Sequence, residues 1–190
     1  MKKGFLFVVI WIVVIVVIAG LIWYITGLNK VVRMDEATSE SWAQVETQLQ
    51  RRTDLIPNLV ETVKGYARHE KEVFTYIADA RKAWAGARSV QEKISAAGTL
   101  EGALSRLMLI VERYPDLKAN QNFLKLQDQL EGTENRISVA RMRYNQAVKA
   151  FNTYIREVFG RFFARRKGLD RPHPYFEAEQ GAKSVPEVKF

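Results

Sequence analysis

The side chains of this sequence that could do chemistry are few and scattered. His69 stands beside Glu70, with Glu72 close behind, and this is the nearest approach to a metal-ligand cluster. Adjacent helical residues point in different directions and no second histidine lies near, so a solvated turn is the simpler reading. His173 sits between Pro172 and Pro174 and reads as a loop histidine in an extended stretch. No phosphate-cradling glycine loop, no His-Glu-x-x-His, no glycine-flanked nucleophilic serine and no cysteine occurs. The sequence therefore points to no enzyme, no metal and no cofactor.

More telling are polar residues on apolar helical stripes. Arg52 occupies the stripe formed by Trp42, Val45, Leu49, Ile56, Leu59, Val63 and Tyr66, with Asp54 close by. Asn135, Asn145 and Asn152 lie further on, the last two seven positions apart and hence on one face of a helix. One reading is a polar layer that fixes helix register, with Arg52 paired to a carboxylate such as Asp54 or Glu134. The other is a groove that binds a partner or ligand. The first is simpler, because polar groups inside bundles usually find each other.

A third group is basic and aromatic. Phe159, Phe162 and Phe163 interleave with Arg161, Arg165, Arg166 and Lys167, a pattern suited to contact with an anionic membrane surface. A frayed helix end with a solvated charge run would look the same.

The elements that must position these residues begin with Phe5 to Ile25, an apolar run without a charge. At about 1.5 Å per residue, such a helix matches a hydrocarbon core of roughly 30 Å. A cleavable signal peptide ending at Ala19 is the alternative. The run continues past that point, however, and Trp23 and Tyr24 sit where an interfacial aromatic belt belongs. Lys2 and Lys3 before the span balance Lys30 and Arg33 after it, so the positive-inside count is tied. The α-amino group tips it toward a cytoplasmic N-terminus with the remaining chain outside.

The chain carries a net charge of +8, of which only Lys2 and Lys3 precede the span. The positives are interleaved with acids along helices rather than massed with aromatics, which argues against nucleic acid and leaves membrane lipid as the partner of the basic surplus. After the span, the first amphipathic helix contains Pro57, read as a kink because the stripe keeps its phase; an N-cap at Asp54 with a new helix is the rival. A turn is expected at Lys64 to Glu70 and a second helix through Val73, Ile77, Ala80 and Trp84. A third helix starts at the capping box of Ser89 and Glu92 and ends before Pro115. The fourth is expected from about Leu117 to Val158, with Leu124, Leu130, Ile137, Ala140, Tyr144, Val148, Phe151 and Ile155 inward.

The predicted fold is all-α: a single transmembrane helix followed by an antiparallel up-and-down bundle of long helices, four in number, or three if the middle pair stacks end to end. Its parts are a short polar N-terminus (1–4), the transmembrane helix (5–25), the bundle (28–158), and a basic-aromatic linker with an extended C-terminal strap (159–190).

Specific residues add a resemblance. Arg51 to Ala67 (RRTDLIPNLVETVKGYA) with His69-Glu70, Leu117 to Phe123, Thr133 to Ile137, Ala140 to Asn145, and Tyr175 to Ala178 lie in the order found in the LemA family. The chain resembles that family of membrane-anchored bacterial proteins over nearly its whole length. The resemblance implies one N-terminal span, a helical bundle and no known enzymatic activity. Family members are usually drawn with the bundle in the cytoplasm, against the charge count. Arg161 to Arg171 is more basic than the family pattern suggests. The combined expectation is a membrane-tethered scaffold or adaptor in a bacterial cell membrane, binding membrane or envelope proteins or a second copy of itself. An accessory subunit of a membrane enzyme such as an envelope-stress peptidase, or a lipid-surface sensor, are the alternatives.

Overall fold

The computed structural model describes Lys2 to Glu177. Among these residues there are helices and turns and no strand: α1 Lys2–Lys64, α2 Lys71–Gly86, α3 Val90–Val111, α4 Pro115–Lys118, α5 Gln121–Tyr154 and α6 Val158–Lys167. The chain is all-α, as its apolar periodicity predicts.

Helix α1 is 63 residues long and passes through Pro57 without a break, so no new helix starts at Asp54. From Phe7 to Trp23 its described side chains are exposed all round, and this end is strongly apolar. Such a surface is costly in water and favourable in hydrocarbon. The helix is long and apolar enough to cross a membrane. Helix α3 is also long and apolar, but Leu100, Ala103, Leu104, Leu107 and Ile110 are buried, which makes it a core helix of the bundle.

The turn after α1 falls where Gly65 interrupts the stripe, and Ala67 N–H donates to the Val63 carbonyl at 2.9 Å. At the start of α3, the Ser89 hydroxyl accepts from the Glu92 N–H at 3.2 Å, and the Glu92 carboxylate accepts from the Arg88 and Ser89 N–H groups at 2.7 and 3.2 Å. The Arg88 and Ser89 amides hold the Glu92 carboxyl below its ordinary pKa.

The fourth long helix departs from expectation at both ends. Asn120 caps α5, its side-chain oxygen accepting from Asn122 and Phe123 N–H at 2.9 and 3.1 Å, so the helix begins later than Leu117. Phe123 is therefore the inward residue, while Leu124, expected inside, is 39 % exposed. The helix stops at Tyr154, short of Val158, and α6 follows after the turn Ile155 to Glu157. That turn needs Gly160: a Cβ there would lie 1.9 Å from the Tyr154 carbonyl oxygen. Residues expected as linker thus form a helix, closed by Gly168 at φ 69° with Leu169 N–H donating to the Ala164 carbonyl at 2.9 Å.

The chain divides into two compact units. The first holds α1 up to Glu40 and Gln146–His173, with a core of Val31, Phe151, Tyr154, Ile155, Phe163 and Ala164. The second holds Ser41–Asn145 and the strap from Pro174. Its core gathers Ile56, Leu59 and Val63 of α1, Ile77 and Ala80 of α2, Leu100 to Val111 of α3, Leu117 of α4, and Phe123 and Leu130 of α5.

Contacts in the second unit give the helix directions. Trp84 Nε1 donates to Gln50 Oε1 at 3.3 Å and Lys64 lies over the Phe74 ring, so α2 runs against α1. The Arg106 guanidinium covers Tyr76, and Lys93 covers Trp84, so α3 runs back along α2. The middle pair therefore packs side by side rather than end to end. Arg52 meets Glu134 and Trp42 meets Tyr144, which sets α5 antiparallel to α1. This is an antiparallel up-and-down bundle of four helices.

Candidate functional site

Asn145 and Asn152 do the same thing, once in each unit. The Asn152 Oδ1 accepts from the His173 N–H and its Nδ2 donates to the His173 carbonyl, both at 2.9 Å. Asn145 treats Phe176 identically, at 2.8 and 2.9 Å. A primary amide presents one donor and one acceptor in a plane, so it can satisfy both backbone groups of an extended residue as a neighbouring strand would. The two positions face along one side of α5, as their spacing requires, but their partner is the C-terminal strap rather than another helix. Neither of the two sequence readings, helix register layer or open groove, anticipated this.

Side chains reinforce each attachment. In the second unit, Tyr144 Oη donates to the Pro174 carbonyl at 2.7 Å, and burial pushes the Tyr144 hydroxyl up to about 12, which keeps it a donor. The Phe176 ring lies between Trp42, at 6.5 Å between centroids, and the Arg141 guanidinium at 4.3 Å. Arg141 also reaches Glu101 at 3.2 Å. In the first unit, the His173 ring packs on Phe151 at 4.7 Å and its Nε2 lies 2.8 Å from Asp35 Oδ1. His173, in its extended stretch, is thus also a fastening of the strap.

Arg52 is 8 % exposed and its Nη2 lies 3.0 Å from Glu134 Oε2, tying α1 to α5. Asp54 is not its partner: Asp54 is exposed and accepts from Gln50 Nε2 at 2.7 Å on the same helix. Lys93 and Glu46 pair across α3 and α1. Asn135 belongs to neither the amide stripe nor the Arg52 pair. It is exposed and helps line a shallow cleft between α1 and α5 with Gln44, Gln48, Val139 and Arg143.

The basic-aromatic residues separate. Phe163, expected at the membrane surface, is only 2 % exposed: its ring lies 5.0 Å from Trp23 and 6.1 Å from Tyr24, flat against the Gly27 backbone. Phe159 and Phe162 are 63 % and 44 % exposed, and Arg165, Arg166 and Lys167 face out. Sequence reasoning missed Gly27, where a Cβ would fall 2.3 Å from the Phe163 ring. It also missed Tyr144 and His173 as holders of the strap. The strap beyond Glu177, expected to run along the bundle, lies outside the described residues.

These arrangements hold chain segments together and present an exposed apolar helix with a basic-aromatic helix at its end. Among the described residues, no three His, Asp or Glu side chains converge on one point. The class so defined is a membrane-associated helical-bundle protein. The LemA family model matches residues 41–190, and the chain belongs to the LemA family. It is also similar to Magnetosome protein MamQ 2 and Magnetosome protein MamQ 1 of Paramagnetospirillum magneticum, at 26 % identity over 88 % of this chain and 71 % of theirs. Magnetosome protein MamQ of Magnetospirillum gryphiswaldense is 26 % identical over 86 % of this chain and 71 % of its own.

Proposed function

We propose that this protein is a non-enzymatic, single-pass scaffold of a bacterial cell membrane, whose bundle binds membrane or envelope proteins or a second copy of the chain at the bilayer surface. The observation that carries this reading is α1, one unbroken helix from the exposed apolar run into the bundle core at Ile56, Leu59 and Val63. The same helix supplies both the apolar run and the Ile56, Leu59 and Val63 side chains of the bundle core. The names of the relatives carry no catalytic term, which supports the same reading.

Chemical crosslinking in intact membranes, followed by gentle solubilisation and affinity capture of the full chain, tests it. The scaffold reading expects crosslinks from the bundle to itself or to several membrane proteins. A single enzyme recovered in fixed stoichiometry, with its activity changed by the chain, would replace it with the regulatory-subunit reading. Protease access to the C-terminus in intact against lysed cells gives the side of the membrane, where the charge count favours the outside.

A further inference from the structure

We propose that α6 is an interfacial helix that docks on anionic phospholipid headgroups at the point where α1 leaves the bilayer. The proposal rests on α1 crossing the membrane. It follows from where α6 is pinned. Trp23 and Tyr24 close the apolar run, at the level where aromatic rings meet headgroups. Trp23 packs edge-on against Phe159 at 5.4 Å and Phe163 at 5.0 Å, and Tyr24 meets Phe162 at 6.3 Å. Gly27 lets α6 approach the α1 backbone directly. A helix fixed to the end of the span at these distances shares its depth.

The faces of α6 suit that depth. Gly160, Phe163 and Ala164 are buried against the first unit's core. Val158 and Phe162, one turn apart, are exposed at 83 % and 44 %, beside Phe159 at 63 %. Together these three side chains form one apolar strip, a surface that hydrocarbon or a partner favours over water. Arg161 and Arg165, also one turn apart, border this apolar strip on one side, and Arg166 lies over the Phe162 ring at 5.8 Å. Among the described residues, Arg165, Arg166 and Lys167 have no carboxylate partner within ion-pair distance, so their charge is available to phosphate oxygens. Exposed rings and long arginine side chains thus share one face of α6, as on a helix that sinks its rings into an interface while the guanidinium groups reach up to the headgroups. A protein partner would leave the match between the depth of α6 and the end of the span without a role.

Because the sequence contains no cysteine, Val158→Cys gives a single labelling site on the exposed strip of the full-length chain. A fluorophore there is compared in nanodiscs of phosphatidylcholine and of phosphatidylcholine with phosphatidylglycerol, using lipids that carry a quencher just below the headgroup. Incorporation of the chain into the discs reports separately on the span. Quenching at least about twofold stronger in the anionic discs is expected, with the excess lost in high salt and in the Arg161→Gln, Arg165→Gln, Arg166→Gln, Lys167→Gln variant. Lysine at the three arginine positions keeps the charge and should keep the excess. Equal quenching in both discs, or an excess that survives the glutamine replacements, overturns headgroup recognition; no quenching in either overturns the interfacial position of α6.

Discussion

Asn152 holds both backbone groups of His173 with the two ends of one amide, at 2.9 Å each, from a position only 4 % exposed. The same pairing of Asn145 with Phe176 is half-buried. Alanine at 152 leaves the His173 amide unpaired in a closed site, so Asn152→Ala should cost about 1 to 3 kcal/mol. Asn145→Ala should cost less. Asn152→Asp keeps the acceptor and loses the donor, and should not rescue. Thermal unfolding by circular dichroism, with limited chymotrypsin cleavage after Tyr175, checks this. An unchanged melting temperature for Asn152→Ala would mean that the strap is not held there.

The Arg52 and Glu134 pair is asymmetric, with side chains 9 % and 41 % exposed. Removing Glu134 leaves a buried guanidinium without its carboxylate, whereas removing Arg52 leaves a carboxylate that water can reach. Glu134→Leu should therefore be the more damaging change, up to about 3 kcal/mol, and Arg52→Met with Glu134→Leu together should recover much of the loss. Urea unfolding of the four proteins of that cycle measures it. A double variant as weak as the sum of the singles would contradict the coupling.

Gly27 and Phe163 share one volume, since a Cβ on Gly27 would meet the ring at 2.3 Å. The ring is hemmed in by Trp23, Tyr24 and Phe162 and cannot swing aside cheaply. Gly27→Ala should cost about 1 to 3 kcal/mol through overpacking and expose Arg161 and Arg165 to trypsin. Phe163→Leu, which shortens the opposing side chain, should restore protection in the double variant.

Tyr144 gives the pH dependence. Its hydroxyl is raised by burial from an ordinary value of 10.0 to about 12. A group whose folded pKa lies above its unfolded one adds stability below the unfolded value and loses it as pH rises through the folded one. The Tyr144 contribution is therefore intact below about pH 10 and falls away toward 12. Phenolate absorbance should show a late-titrating tyrosine near that value, absent in Tyr144→Phe.

Much of the fold is legible in the sequence. A charge-free run, a glycine in the turn and the Ser89 and Glu92 box are local signals, and each depends on residues adjacent in sequence. The end of α5 was not legible, because its cause, the close approach of Gly160 to the Tyr154 carbonyl, lies inside the next helix. The start was misjudged because Asn120 is the cap and shifts the inward position from Leu124 to Phe123. The asparagine stripe was visible as a spacing, yet its role was hidden: it binds backbone, and a backbone partner leaves no mark in side-chain pattern. Arg52 is buried, and a charge within an apolar stripe is a signal that the sequence does carry.

The Pro172-His173-Pro174 sequence has a bearing on quality control. Proline has no N–H, so within this extended stretch only His173 can donate, and Asn152 already takes that donor. A stretched segment usually offers a row of free amides on which another chain can build a strand. This one has been disarmed twice over, by deletion and by occupation, and can lie straight at the protein surface without becoming a template for aggregation.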